Sequence, residues 1–200
     1  MSDATADVPS VQSLHDRLLV AAVAEIDDVG IDRASLRSIA RRAEVSHQAP
    51  GHLFKNKTGL LTTLAVRVIR LLGSQMSEAR SAAHAAGTNG KDLVVAIGAA
   101  YIQFAVSRPA LFALISRSEM LDHTMIELRE SLDTTWQVLT SAVRDAQAEG
   151  WRSDQPVEDV ALMCWSIVHG LAAIQIGRLQ PTELRDHDAV ELIHSVAGLL

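Results

Sequence analysis

His47, Gln48 and His52 stand around Pro50 in the run Ser-His-Gln-Ala-Pro-Gly-His, so three side chains able to donate and accept hydrogen bonds fall within six residues. A glutamine carboxamide offers a donor and an acceptor at the spacing of adenine's N6/N7 edge, and an imidazole can donate to a purine N7. Gln48 and His47 are therefore candidate base-reading residues. Ser35, Ser46 and His52 carry donors suited to phosphate oxygens, and Arg37 adds a cation. Lys57 places an ammonium at the start of a helix whose free amides already attract anions.

The distribution of charge agrees with that chemistry. The 200-residue chain carries 24 acids against 18 Lys and Arg, a formal net charge of −6. Between Arg33 and Lys57 the balance is reversed, with Arg33, Arg37, Arg41, Arg42, Lys55 and Lys57 against the single acid Glu44. The other 175 residues hold the remaining twelve cations and twenty-three acids. A cationic segment on an anionic body is what a phosphate-facing patch looks like. A basic cluster also describes an ordinary solvated face, so the elements that hold it decide between the two.

Those elements read as helices. Alanine, leucine, arginine and glutamate abound, aromatics are scarce, and no segment alternates like a strand between hairpin turns. The expected class is all-α. Residues 1–10 are a polar tail containing Pro9; apolar positions at three- and four-residue spacing predict a helix from Val11 to near Gly30. Ser35 is placed to cap a second, short helix with Leu36, Ile39, Ala40 and Ala43 inward, and Phe54 joins that core. Ser46 is placed to cap a third, running to about Leu53 with Pro50 in its first turn. Two short helices joined by a tight turn are the plan of a helix-turn-helix reader, whose second helix lies in the major groove.

Lys57-Thr58 opens a long fourth helix that ends before the break Gly87-Thr88-Asn89-Gly90. Further helices are expected over the segment from Lys91 to Ser107, from Pro109 through Ser116, from about Asp122 to Gln147, from Val157 to Leu179 after Pro156, and from Pro181 to Leu200. That makes about nine helices, and two domains: residues 11–57 and 58–200.

The segment Ser35 to Leu61 resembles the helix-turn-helix of the tetracycline-repressor (TetR) family, with matching residues Ser35, Ile39-Ala40, Val45-Ser46, Phe54, Lys57 and Leu60. "WSIVHGL", Trp165 to Leu171, with "RPALFALIS" upstream, resembles the ligand-domain type named for its Trp-His-Gly pattern. The resemblance implies a cytoplasmic, ligand-responsive regulator, a repressor in its commonest form, that binds double-stranded operator DNA as a homodimer. It further implies that the last two helices of each subunit form the dimer interface and that a small-molecule effector binds in the C-terminal bundle. Twofold symmetry implies half-sites roughly 34–36 Å apart on a near-palindromic operator. Gly51 departs from the pattern: a tyrosine usually stands there and contacts the DNA backbone. Leu53 replaces the usual His or Tyr. Gly51 alone costs a short helix up to about 1 kcal/mol relative to alanine. A second reading follows, of a helical small-molecule or protein-binding module with a degenerate DNA-binding head.

For the effector pocket, Phe104, Phe112, Met120, Trp136, Met163 and Trp165 are the large apolar candidates, with His169 as a polar handle. Trp165 and His169 are four apart on one helix face. Either Trp165 packs the core while His169 bonds a neighbour, or both line the cavity. Other chemistry finds little support. Cys164 is the only cysteine and sits among apolar residues; His187, Glu191 and His194, spaced to share one face of an expected helix, lack the His-Glu-x-x-His order of a zinc enzyme. No Gly-rich phosphate loop or nucleophile elbow is present, so no enzyme, cofactor or metal is expected. The start of the chain lacks the basic flank of a signal peptide, and no uncharged stretch is long enough to span a membrane.

Overall fold

Ser13 accepts the amide hydrogen of Asp16 at 3.1 Å and so caps α1 (Leu14–Val29) in the computed structural model, which describes residues 13–198. The tail of residues 1–10, the expected helix start at Val11 and the expected end at Leu200 lie outside the described residues. Gly30, at φ 81°, closes α1 in a conformation that suits glycine. α2 (Leu36–Arg42) begins at a capping box: the Ser35 hydroxyl accepts from the Ser38 amide, and the Ser38 hydroxyl accepts from the Ser35 amide, both at 3.1 Å. α3 (Ala49–Phe54) starts later than expected. Gln48 occupies its cap position, and Ser46 works one turn earlier, its hydroxyl accepting from the Gln48 amide at 3.3 Å. Pro50 sits in the first turn, where its missing N–H costs nothing.

The chain divides into two compact units, one ending at Leu60 and the other beginning at Leu61. In the first, Leu18, Leu19, Ala22 and Ile26 of α1 are buried, together with Ile39, Ala40 and Phe54. Leu36, expected in that core, is only half-buried at the helix start. Arg42 bonds the buried carboxylate of Glu25 at 3.0 Å and also pairs with Asp28, tying α2 to α1. The Arg17 guanidinium donates to the Ala43 carbonyl at 2.6 Å, satisfying an end of α2 that has no partner of its own. Asn56 Oδ1 accepts from the Gly59 amide at 2.8 Å in the first turn of α4 (Lys57–Ala85). A Cβ on Gly59 would lie 2.1 Å from the Phe54 carbonyl oxygen, so only glycine permits this close approach of α4 to the end of α3.

The second unit holds the rest of α4 with α5 (Lys91–Ser107), α6 (Pro109–Ser116), α7 (Ile126–Ala148), α8 (Val157–Ile176) and α9 (Ala189–Ala197). α5 lies at its centre, packed against α6, α7, α8 and α9. Its Phe104, Ile97 and Ile102 are buried to within 1%. Nine α-helices and no strands are found among the described residues, so the fold is all-α.

Three boundaries differ from the sequence reading. α7 begins at Ile126 because Asp122 forms a turn, its carboxylate accepting from the Thr124 amide at 2.9 Å. α8 ends at Ile176 because Gly177 follows and Arg178 adopts φ 52°, leaving Leu179 exposed. Pro181 introduces only a single 3-10 turn; the last helix is capped by Asp188, whose carboxylate accepts the Val190 and Glu191 amides. Glu191 completes that capping box by accepting from the Asp188 amide at 3.0 Å. No cluster of three potential metal ligands occurs among the described residues.

α8 is both apolar and uncovered. By length and composition it could cross a membrane, with Glu158 and Asp159 in its first turn, yet only 22% of its most apolar window is buried. Leu162 is 50% and Trp165 44% exposed, and Ile174 also faces outward.

Candidate nucleic-acid interface and ligand chamber

The turn between α2 and α3 presents His47 and Gln48 outward, and α3 presents His52. His47, Gln48 and His52 are exposed, and their side chains form no hydrogen bond among the described residues. Gln48 leaves its carboxamide free because its backbone, not its side chain, enters the helix. The Ser46 hydroxyl accepts from the backbone and keeps its own proton for another acceptor. Arg37 is exposed, as are Arg33, Arg41 and Lys55, and none of the four forms an ion pair among the described residues. Gly51 is exposed on the same short helix with no heavy atom within 4 Å of where a Cβ would stand.

Three of the expected charge and hydroxyl contributions are already occupied. The Lys57 ammonium donates to the carbonyl oxygens of Ile31 at 2.8 Å and Asp32 at 3.1 Å, so it is spent largely on the turn before α2. Arg42 is held by Glu25 and Asp28, which raise its pKa further above an already high value. The Ser35 hydroxyl is engaged in its capping box. Among the described residues of the head, the free Arg and Lys side chains are therefore Arg33, Arg37, Arg41 and Lys55.

Within the second unit, α4, α5, α6, α7 and α8 line a chamber of about 330 Å³ that is open to solvent on one side, at the small end of the roughly 300–1,000 Å³ usual for small-molecule sites. Trp136, Trp165 and His169 line it, as expected, together with Ile69, Leu72, Met76, Tyr101, Ile115, Ser116, Leu132, Asp133, Thr135 and Leu139. Trp165, 44% exposed, lines the chamber rather than packing the core, and His169 both lines it and bonds Tyr101. A smaller apolar cavity of about 60 Å³ lies behind Met76, Tyr101, Leu139 and Trp165, which line both. Trp151 also lines the smaller cavity, and its indole N–H is buried without a hydrogen-bond partner.

Four expected lining residues are elsewhere. Phe104 is fully buried, with the Arg108 guanidinium 5.3 Å from its ring centre, and Phe112 packs edge-on against Tyr101 at 6.1 Å. Met120 lies in a 3-10 turn, and Met163 is half-buried on α8; none of the four lines either cavity. Phe112 does support the wall, its ring meeting the His169 ring at a tilt with centroids 5.0 Å apart.

The polar centre of the chamber is a pair that sequence reasoning only half found. Tyr101 Oη and His169 Nδ1 lie 2.8 Å apart. Burial pushes the Tyr101 phenol up, offset in part by the Trp165 indole, and pushes His169 below its ordinary value. Both are thus neutral near pH 7, and in the Nε2–H tautomer the phenol donates to Nδ1. Tyr101 was detectable as the chain's only tyrosine, set in an apolar helix. Asp133 carried no such signal. Cys164 lines the smaller cavity as a thiol that burial raises to about 11, so it is unreactive at neutral pH.

An outward-facing helix-turn-helix and a helical bundle around an aromatic chamber define a transcriptional regulator with DNA-binding and ligand-binding domains. Residues 18–64 match the family model described as bacterial regulatory proteins, tetR family, and residues 94–196 match tetracyclin repressor-like, C-terminal domain. The chain belongs to the tetracycline-repressor family, whose members are transcription factors rather than enzymes.

Among curated relatives, the HTH-type transcriptional regulator BetI of Yersinia pestis is 36% identical over 64 residues, 32% of each chain. BetI of Pectobacterium carotovorum is 44% identical over 59 residues, 30% of each. The chain thus matches about a third of the length of these relatives. A Rhodococcus sp. RHA1 protein of unknown function superposes with a TM-score of 0.81 at 25% identity, covering 97% of this chain and 96% of that one. The TetR-family regulator PfmR of Thermus thermophilus shares the fold, with a TM-score of 0.66 at 17% identity over 92% and 96%.

Proposed function

We propose that the protein is a cytoplasmic, homodimeric repressor that binds a near-palindromic operator and releases it when a small molecule fills the chamber. In this reading residues 11–57 bind DNA, and residues 58–200 bind the effector and dimerise. The observation that carries it is the uncommitted state of His47, Gln48 and His52 beside Arg37 and Ser46 on exposed α2–α3. His47 and Gln48 read bases; Ser46, His52 and Arg37 hold phosphates; Ser35 and Lys57 support the frame. α4 transmits occupancy, since Ile69, Leu72 and Met76 line the chamber and its first turn lies in the head. Ligand and DNA then weaken each other by the same factor.

Dimerisation through α8 and α9 is supported by the exposed apolar side chains Leu162 and Ile174, which leave part of the α8 face uncovered. A second protomer's copy of that face covers it in an isologous contact. Replacing Leu162 and Ile174 with glutamate should leave a monomer by sedimentation and abolish tight operator binding.

The test of the whole is selection of bound sequences from a random duplex pool at near-physiological salt. Enrichment of a palindrome with half-sites about one DNA turn apart is expected. Salt-sensitive background alone would instead favour the degenerate-head reading, which the bare position of Gly51 supports.

A further inference from the structure

We infer that the larger chamber takes an organic cation, a quaternary or protonated ammonium carried on an apolar body. This rests on reading the bundle as the sensing domain, and it names the ligand's chemistry. Three aromatic side chains share the wall: Trp136 and Trp165 meet edge-on with centroids 6.5 Å apart, and Tyr101 lines it while its hydroxyl bonds His169. Aromatic faces carry partial negative charge and attract a cation within about 6 Å.

The formal charges of the wall have one sign. Asp133 lines the chamber one helical turn before Trp136 and forms no ion pair or hydrogen bond among the described residues. No lysine or arginine lines it. His169 is kept from protonation by burial and is bonded to Tyr101, so it supplies no compensating charge near neutrality. Tyr101 likewise keeps its proton. An anionic ligand would meet a carboxylate and ring faces with no counter-charge. A cation gains the ring faces and the carboxylate together, and the aliphatic side chains of Leu72 and Met76 receive its apolar body.

The experiment titrates the tryptophan fluorescence of the full chain with benzyltrimethylammonium, its neutral carbon isostere neopentylbenzene, and benzylsulfonate. The cation should bind about tenfold more tightly than the isostere. Asp133→Asn should erase a three- to tenfold share of that preference without changing isostere affinity; Asp133 is exposed and unpaired, so the variant should keep the wild-type melting temperature. Trp136→Leu should weaken the cation more than the isostere. Equal or tighter binding of the isostere or the sulfonate overturns the cation assignment while leaving a ligand chamber in place. Binding of none of the three overturns both the assignment and the sensing role of the chamber.

Discussion

The Lys57 ammonium donates to the Ile31 carbonyl oxygen at 2.8 Å, joining the first residue of α4 to the turn that precedes α2. A charge that the sequence offers to phosphate is thus directed inward, to a carbonyl 26 residues earlier. Lys57→Met should cost about 1–3 kcal/mol of stability in urea unfolding, the scale of hydrogen bonds from a charged donor. It should leave the slope of log affinity against log salt nearly unchanged. Arg37→Ala should do the reverse, sparing stability and lowering that slope by about one. A Lys57→Met protein that melts normally but loses a unit of salt slope would return Lys57 to the DNA backbone.

Gly51 leaves the short α3 without a side chain where nothing lies within 4 Å. Gly51→Ala should therefore stabilise the head by about 0.5–1 kcal/mol, through the smaller loss of backbone freedom. Gly51→Tyr should gain as much or less in stability but tighten DNA binding, because it adds a ring and a hydroxyl at an exposed position of the proposed DNA-binding surface. Operator titration of the two variants separates the effects: if tyrosine improves affinity no more than alanine does, the position does not face the backbone.

What could be read in advance was local. The Ser35 cap, Pro50 in the first turn of α3 and the Gly87–Gly90 break all depend on neighbours within a few residues, and each is where sequence rules place it. The Asp188–Glu191 capping box was equally legible, but Pro181 drew the helix start eight residues early. What stayed hidden depends on chain-distant partners. Arg42 finds Glu25 across 17 residues, and Tyr101 finds His169 across 68. Of the expected chamber residues, Trp136, Trp165 and His169 line the cavity, whereas Phe104 and Phe112 are drawn into the core around α5. A large apolar side chain serves a wall or a core equally well, and only packing separates them.

Gly98 lets α5 meet two helices at once. A Cβ there would stand 2.5 Å from Ile193 Cδ1 on α9 and 2.9 Å from Val168 Cγ1 on α8. Gly98→Ala should destabilise by about 1–3 kcal/mol despite the higher helix propensity of alanine, because overpacking outweighs it. Ile193→Val removes the nearest atom and should recover part of the loss, visible as a favourable coupling in a double-mutant cycle. Additive losses would mean that the two side chains do not share the space.

His169 makes stability depend on pH in a direction that can be worked out. Burial lowers its folded pKa, so between that value and the ordinary 6.5 the unfolded chain binds a proton that the folded chain does not. Stability is complete above the ordinary value and falls as pH drops through the window, levelling below the folded pKa. Protonation also removes Nδ1 as an acceptor for the Tyr101 phenol. His169→Gln keeps a hydrogen-bonding side chain at the chamber wall without titrating. Thermal melts between about pH 7 and about pH 5 should fall more steeply for the wild type than for His169→Gln. Parallel curves would mean that the imidazole titrates alike in both states, and that the 2.8 Å contact with Tyr101 contributes nothing that protonation can remove.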